Sequence, residues 1–437
     1  MTRRRFTALT SAGAASALAS PRLGAAPARR PNILLINADD HRPDGIGALG
    51  NKELQTPNLD ALVRRGCAFR CAYTMGAHVG AVCLPSRTQL LTGYSLPRAI
   101  QVLQNRLKPD PAVFMPRVLS AAGYETYHIG KPGNEFGPGI RAFDHNLERG
   151  DRGEERRTSS KHHADALISF FQQRAKDKPF FVYCAPPVPH DPRLAEERFH
   201  RLYDPAKITL PANFAPEHPF DNGELRIRDE KLLPWPRTPE AVRKELADYY
   251  ACITGLDHHL GRVFDCLRAL GQLDDTVIVF CGDNGLSLGE HGLLGKQNLY
   301  EFGGMHVPLV IAGPGIPHGE TNALAYHLDL LPTFCDLAGA KRPAVLDGQS
   351  LLPVVRGEAK QVRAAAFTAY RDVQRAVRDE RWKLIHYPKI NKTQLFDLQA
   401  DPHEMSDLSA KPEHADTLRR MQELLRREQR AWGDTLA

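Results

Sequence analysis

Short apolar runs set between polar, glycine-rich breaks give this chain its rhythm. Asn32–Ala38 (N-I-L-L-I-N-A) is almost continuously apolar, which predicts a strand buried on both faces. Residues 180–184 (F-F-V-Y-C), 276–281 (T-V-I-V-F-C) and 308–312 carry the same pattern, and 124–129 follows as a strand after a helix over 116–122 that Gly123 ends. Thr56-Pro57-Asn58 starts a further helix, with Leu59, Leu62 and Val63 on one face and Gly66 as its stop. Between 240 and 270, Leu246, Tyr249, Ile253, Leu256, Leu260, Val263 and Leu267 recur at three- and four-residue steps. That spacing predicts a long helix, closed by Gly271. Strands alternating with helices indicate an α/β fold built on a large, mostly parallel sheet. After about residue 335 the texture changes. Short strand patterns at 364–370, 374–377, 382–387 and 394–398 precede an amphipathic tail from Pro412. They predict a small antiparallel sheet with a terminal helix. The expected division is therefore 29–335 and 336–437, with the Pro-rich stretch 191–240 as a long surface loop shaping an entrance.

The first 28 residues stand apart: a basic start (M-T-R-R-R-F), an Ala/Ser/Leu-rich middle and Ala26-Pro27-Ala28. That layout predicts a signal peptide, and the paired arginines a twin-arginine export signal, so the expected location is periplasmic or secreted. Cleavage after Ala28 removes four arginines and no acid, so the formal charge falls from +6 to +2. The basicity belongs largely to this segment and gives no case for nucleic-acid binding. No apolar run is long enough for an integral membrane span. The eight cysteines include no C-x-x-C pair, which argues against structural zinc, and most read as small buried hydrophobes.

Beyond the carboxyl ends of strands, where sites form in parallel sheets, stand two pairs of hard oxygen donors. Asp39 and Asp40 follow the first strand; Asp283 and Asn284 follow the 276–281 strand. Each residue alone reads as a loop or cap residue. Together they are a candidate metal site, because clustered carboxylates repel one another unless a cation sits between them. Oxygen ligands favour Ca²⁺, with Mg²⁺ second, over Zn²⁺. Cys83, in Cys83-Leu84-Pro85-Ser86-Arg87, lies at the start of a helix that runs to Gly93, where N–H groups favour anions. Arg87, one turn on, offers a fork of donors to an oxyanion. Taken alone, Cys83 would be a packing residue.

C-L-P-S-R resembles the C-x-P-S-R signature of the type I, formylglycine-dependent sulfatases of the alkaline-phosphatase superfamily. Further blocks resemble that family in its order: N-I-L-L-I-N-A-D-D, Gly130-Lys131, P-P-V-P-H-D-P, G-D-N-G-L-S-L-G-E-H-G-L-L-G-K, H-L-D-L-L-P-T-F-C-D-L-A-G and L-F-D-L-Q-A-D-P-H-E. They run from residue 32 to about 408. The resemblance implies an alkaline-phosphatase-like sheet sandwiched by helices, and removal of sulfate from a sulfated small molecule or saccharide. It implies that a formylglycine-generating maturation enzyme oxidises Cys83. One hydroxyl of the hydrate would attack sulfur and expel the alcohol. Loss of the proton from the other would re-form the aldehyde as sulfate leaves. Asp39, Asp40, Asp283, Asn284 and the modified Cys83 would hold Ca²⁺. Arg87 would steady the hydrate, and Lys131 and Lys296 would neutralise sulfate oxygens. His190 would contact the sulfate or protonate the leaving oxygen, while His291 reads as structural. One departure stands out. Many relatives continue Gly-Lys with Trp-His; here Lys131-Pro132-Gly133-Asn134 follows, with Asn134, His128 and His78 as open substitutes. Two alternatives therefore stand beside a sulfatase: a phosphonate or phosphate monoester hydrolase sharing the motif, and a glycan-binding relative without catalysis.

Overall fold

A computed structural model describes residues 30–148 and 153–435; the export segment expected at 1–28 lies outside them. The strands, in chain order, are β1 (Asn32–Ala38), β2 (Gly66–Tyr73), β3 (Gly76–Ala77), β4 (Glu125–Gly130), β5 (His145–Glu148), β6 (Phe180–Ala185), β7 (Thr276–Gly282), β8 (His306–Ala312) and β9 (Gly319–Tyr326), then β10 (Ala366–Tyr370), β11 (Gln374–Arg378), β12 (Trp382–Tyr387) and β13 (Lys392–Asp397). Eight of them form one sheet in the order β5-β4-β6-β1-β7-β8-β2-β9. Only β8 runs against its neighbours. The expected mixed, mostly parallel sheet is present, and β1 at its centre pairs in parallel with both β6 and β7.

The continuous apolar character of β1 has a simple origin. Successive side chains point to opposite faces, and both faces are covered. Leu34 and Ile36 pack with the helices Pro57–Arg65, Ser159–Gln173 and Pro239–Ala269. Ile33 and Leu35 pack with Cys83–Thr92, Met115–Ala121 and Leu330–Ala338. The long helix matches its predicted span: Thr238 accepts a hydrogen bond from the Ala241 N–H at its start, and Gly271 lies just beyond its end in the left-handed region at φ +66°.

The second sheet has the order β13-β12-β11-β10-β3. Its last four strands in chain order are antiparallel, as expected, and the helix Ala415–Trp432 buries Met421, Leu424 and Leu425 against it. Its edge is β3, two residues that precede Cys83 by only a short turn and pair in parallel with Ala369 and Tyr370. A glycine is required there, because a Cβ on Gly76 would fall 1.8 Å from the Ala369 carbonyl oxygen.

The stretch 191–240 is irregular, as expected, but it is not wholly a surface loop. It folds into short helical turns, and Asp229 and Glu230 are buried. The Glu230 carboxylate accepts the N–H groups of Leu294 and Gly295 at 3.0 and 2.8 Å, which ties this stretch to the segment carrying Lys296. No helix among the described residues is long and apolar enough to cross a membrane.

Candidate active site

The central strands bring the two donor pairs together. Ala38 and Gly282 are register partners across β1 and β7, so Asp39-Asp40 and Asp283-Asn284 leave the sheet side by side. Asp40 is in the left-handed region at φ +61°, a costly conformation for a residue with a Cβ. It is held by its N–H donating to Asp283 Oδ1 at 3.0 Å, and by the Tyr249 hydroxyl donating to its carbonyl at 2.8 Å. The helix Cys83–Thr92 points its first residue at this pair; Gly93, at φ +67°, ends it. Cys83 Sγ lies 3.1 Å from Asp39 Oδ1, 3.8 Å from Asp40 Oδ1 and 3.4 Å from Asn284 Oδ1.

Three cations complete the cluster, all buried. Lys296 Nζ donates to both oxygens of Asp40 at 2.7 and 3.0 Å and reaches Cys83 Sγ at 3.4 Å. Lys131 Nζ is 2.6 Å from Asp39 Oδ2. Arg87 donates from Nε to Asp283 Oδ2 at 2.9 Å, and its Nη2 lies 3.3 Å from Asp39 Oδ2. His190 Nε2 is 3.8 Å from Asp40 Oδ2, while its Nδ1 is 2.6 Å from the Asp191 carbonyl. All nine residues singled out from the sequence therefore lie within this one cluster.

The electrostatics follow from burial set against charge. Burial pushes Asp39 and Asp40 up, but Lys131 and Arg87 for the first, and Lys296 and His190 for the second, overcome it and hold both below the usual carboxylate range. Asp283 is pushed up to about 6 by burial and by the Asp39 charge, against Arg87. Burial also lifts the Cys83 thiol well above its ordinary value, and Asp283 and Asp39 add to the effect. A thiolate is thus disfavoured here, and the unmodified side chain makes a poor sulfur nucleophile.

The donor set fits a divalent cation. Asp39, Asp40, Cys83 and His190 each offer one ligand atom, all within 4.8 Å of one another, and Asn284 Oδ1 faces the same space. Asp283 is less free: Oδ1 accepts the Asp40 N–H and Oδ2 the Arg87 Nε–H. His291 is apart from the cluster, stacked on Tyr300 at 3.9 Å and bonded to Asn213 at 3.0 Å.

The segment after Lys131, where the family resemblance leads one to expect a histidine, turns outward. Pro132, Gly133 and Asn134 are exposed, and Gly133 and Asn134 both have positive φ. His128 is buried on β4, its Nδ1 2.6 Å from Asn146 Oδ1, and burial pushes its imidazole down to about 4. His78 lines a separate cavity of about 460 Å³ with Arg371 and Arg375. The next side chain along the outward turn, Glu135, comes inward instead. Its carboxylate pairs with Arg87 Nη1 and lies 3.5 Å from the Tyr183 hydroxyl. Nothing in the sequence singles out Glu135, since a lone acid in a Gly/Pro-rich stretch reads as a turn residue. The same holds for Tyr249, which counts as one more apolar position of its helix, and for Asp191, whose carboxylate is gripped by Arg228.

Known proteins are similar to this chain along most of its length. The family model described as Sulfatase matches residues 31–340, and one described as N-sulphoglucosamine sulphohydrolase, C-terminal, matches 289–431. A choline-sulfatase of Rhizobium meliloti is 31% identical, the match covering 88% of this chain and 83% of that protein. An N-acetylglucosamine-6-O-sulfatase of Bacteroides thetaiotaomicron is 28% identical over 93% of this chain and 87% of its own length. A solved structure described as a complex with the substrate D-glucosamine-2-N,6-O-disulfate superposes with a TM-score of 0.75 at 25% identity, covering 93% of this chain and 99% of the other. A phosphonate monoester hydrolase of Agrobacterium radiobacter has the same fold, with a TM-score of 0.75 at 22% identity over 92% of this chain and 96% of its own. The family match spans both the strand-end acids and the C-L-P-S-R helix start, and with it this chain belongs to the alkaline-phosphatase-like type I sulfatases and is a sulfatase enzyme.

Proposed function

We propose that this enzyme hydrolyses sulfate esters of a sulfated carbohydrate, using a formylglycine hydrate made from Cys83 and a bound Ca²⁺. The observation that carries this reading is the setting of Cys83. It is a buried cysteine with a suppressed thiolate, 3.1 Å from an acidic metal ligand and 3.4 Å from a buried lysine. That setting suits an oxygen nucleophile delivered beside a cation. The hydrate would supply an attacking hydroxyl and a second one that lets sulfate depart, and a bound cation would polarise the sulfate and favour ionisation of the attacking hydroxyl.

The chain's own residues do the rest. Asp39, Asp40, Asp283 and Asn284 would hold the cation, Asp283 chiefly by fixing the Asp40 turn and Arg87. Lys131 and Lys296 are desolvated point charges on either side of Cys83, placed to bind sulfate oxygens as charge builds on them. Arg87 orients the nucleophile from one turn along its helix. His190 presents Nε2 to the pocket with Nδ1 engaged by Asp191, an orientation fit for giving a proton to the leaving oxygen. Residues 29–335 supply these groups, and β10, from 336–437, pairs with β3 just before Cys83. The N-terminal segment directs export by the twin-arginine route.

A saccharide is favoured by the glucosamine sulfatases among the relatives. A 29% identical relative of Trinickia caryophylli, named a multifunctional alkaline phosphatase superfamily protein, makes phosphonate or phosphate monoesters the second reading. The test is co-expression with a formylglycine-generating enzyme, mass spectrometry of the Cys83 peptide, and sulfate release from a panel of sulfated saccharides beside aryl phosphonates. A thiol at Cys83, or a converted residue with no sulfate release, overturns the proposal.

A further inference from the structure

Among the described residues, buried carboxylates and cations touch one another around Cys83. The carboxylates are Asp39, Asp40, Asp283 and Glu135; the cations are Arg87, Lys131 and Lys296. Each negative charge in this group weakens the hold on an anionic ester, and weakens it more for a phosphate monoester dianion than for a singly charged sulfate monoester. Glu135 supplies one such charge and is not among the candidate metal ligands. Its side chain is 4% exposed, and it binds no donor of the cation site directly; it acts from behind Arg87.

We propose that Glu135 is a specificity-determining residue: its buried negative charge behind Arg87 sets the pocket to accept singly charged sulfate esters over doubly charged phosphate monoesters. This rests on the sulfatase reading above. Burial pushes the Glu135 carboxyl up to about 7 against the pull of Arg87, so its charge is present in mildly alkaline solution. The groups facing it are Arg87 from the nucleophile helix, Tyr183 from β6, the strand-end acids Asp39 and Asp283, and His128 from β4, whose imidazole is held neutral by burial. Burial raises the Tyr183 phenol well above its ordinary value, so it stays neutral too. None of these replaces the charge when Glu135 loses it.

The test uses the full chain with Cys83 unconverted and Ca²⁺ bound, so that ligands bind without turnover. Calorimetry at pH 8 compares phenyl sulfate with phenyl phosphate for the wild type, Glu135→Gln and Glu135→Asp. Wild type is expected to prefer the sulfate. Glu135→Gln keeps a hydrogen-bonding group on Arg87 but removes the charge, and should move the affinity ratio about tenfold toward the phosphate, the scale of one charge acting across a partly desolvated site. Glu135→Asp keeps the charge and should leave the ratio within about twofold, even where both affinities fall. An unmoved ratio in Glu135→Gln, or an equal shift in both variants, overturns the inference. Converted enzyme that releases no sulfate overturns the sulfatase reading alone, because the binding ratio is measured without catalysis.

Discussion

Lys296 holds both oxygens of Asp40 and the sulfur of Cys83 from a fully desolvated position, so its charge acts at close to full strength. Burial opposes that charge, but Asp40 and Asp39 overcome it and keep the ammonium well above its ordinary range. In converted enzyme, Lys296→Met should lower kcat for an aryl sulfate by about 10²–10³, the cost of removing one preorganised oxyanion donor. An effect under tenfold would remove Lys296 from the transition state. The cation itself is testable through folding. Clustered acids make the free site unfavourable, so Ca²⁺ at a hundredfold excess over Kd should stabilise the fold by about 2.7 kcal/mol, seen as a rise in Tm. Asp40→Asn should abolish most of that rise; a Ca²⁺-independent Tm in the wild type would contradict the metal assignment. Much of this site was legible in the residues. Acid pairs directly after buried strands, and an arginine one turn from a cysteine, are local patterns. Glu135 was not, because its role depends on a turn that faces Gly133 and Asn134 outward and the next side chain inward, and no periodicity encodes that.

Elements set the position of these side chains. The helix Pro239–Ala269 braces the Asp40 turn through Tyr249, whose hydroxyl donates to the Asp40 carbonyl at 2.8 Å and accepts the Arg42 N–H at 2.9 Å. Tyr249→Phe leaves two buried backbone groups unpaired. It should cost about 1–3 kcal/mol in urea unfolding and weaken Ca²⁺ binding, because Asp40 no longer has both supports for its left-handed backbone. Unchanged Ca²⁺ affinity alongside lost stability would show that the brace serves the fold alone. The periodicity that made this helix legible is also why Tyr249 passed as packing: its ring fits the apolar face, and only its tip is polar. Central strands β1, β6 and β7 were legible because both faces are buried and their composition is uniform. β2 was hidden because Gly66 reads as a helix stop and Arg70 interrupts the run. β9 was hidden because its first half, G-E-T-N, is polar and partly exposed, leaving four residues to carry the pattern. β3, with two residues, is made by its partner strand and not by its own sequence.

Across the whole molecule, the two sheets are joined by a buried ionic network next to the segment that carries Lys296. Glu301 accepts from the Tyr73 hydroxyl of β2 at 2.7 Å, from Arg378 of β11 at 3.0 Å and from Lys383 of β12 at 2.9 Å. Lys383 also lies 3.0 Å from Glu404. Two buried carboxylates sharing one lysine divide the proton unequally. Burial pushes both up, but Lys383 and Arg378 overcome it at Glu301 and hold it far below the carboxylate range. Glu404 has only Lys383 and the Glu301 N–H against burial and the Glu301 charge, and rises to about 7 from an ordinary 4.5. The folded state therefore binds more protons than the unfolded chain between those two values. The contribution of Glu404 is fully present below 4.5 and is lost as pH rises through 7. That of Glu301 has the opposite sign: it is present above its ordinary value and disappears only in strong acid. On going from pH 5 to 8 the wild type should lose stability on the order of 2–3 kcal/mol from Glu404 alone. Asp283 at about 6 and Glu135 at about 7 push in the same direction, so the comparison must be with a variant and not with a flat line. In Glu404→Gln the side chain keeps a group for Lys383 and for the Glu301 N–H but cannot ionise. Urea unfolding across that pH range should give a shallower fall for the variant, with the two proteins diverging most above neutrality. Parallel pH profiles would mean that Lys383 and local water already hold Glu404 ionised throughout, and that the junction between the sheets does not sense pH.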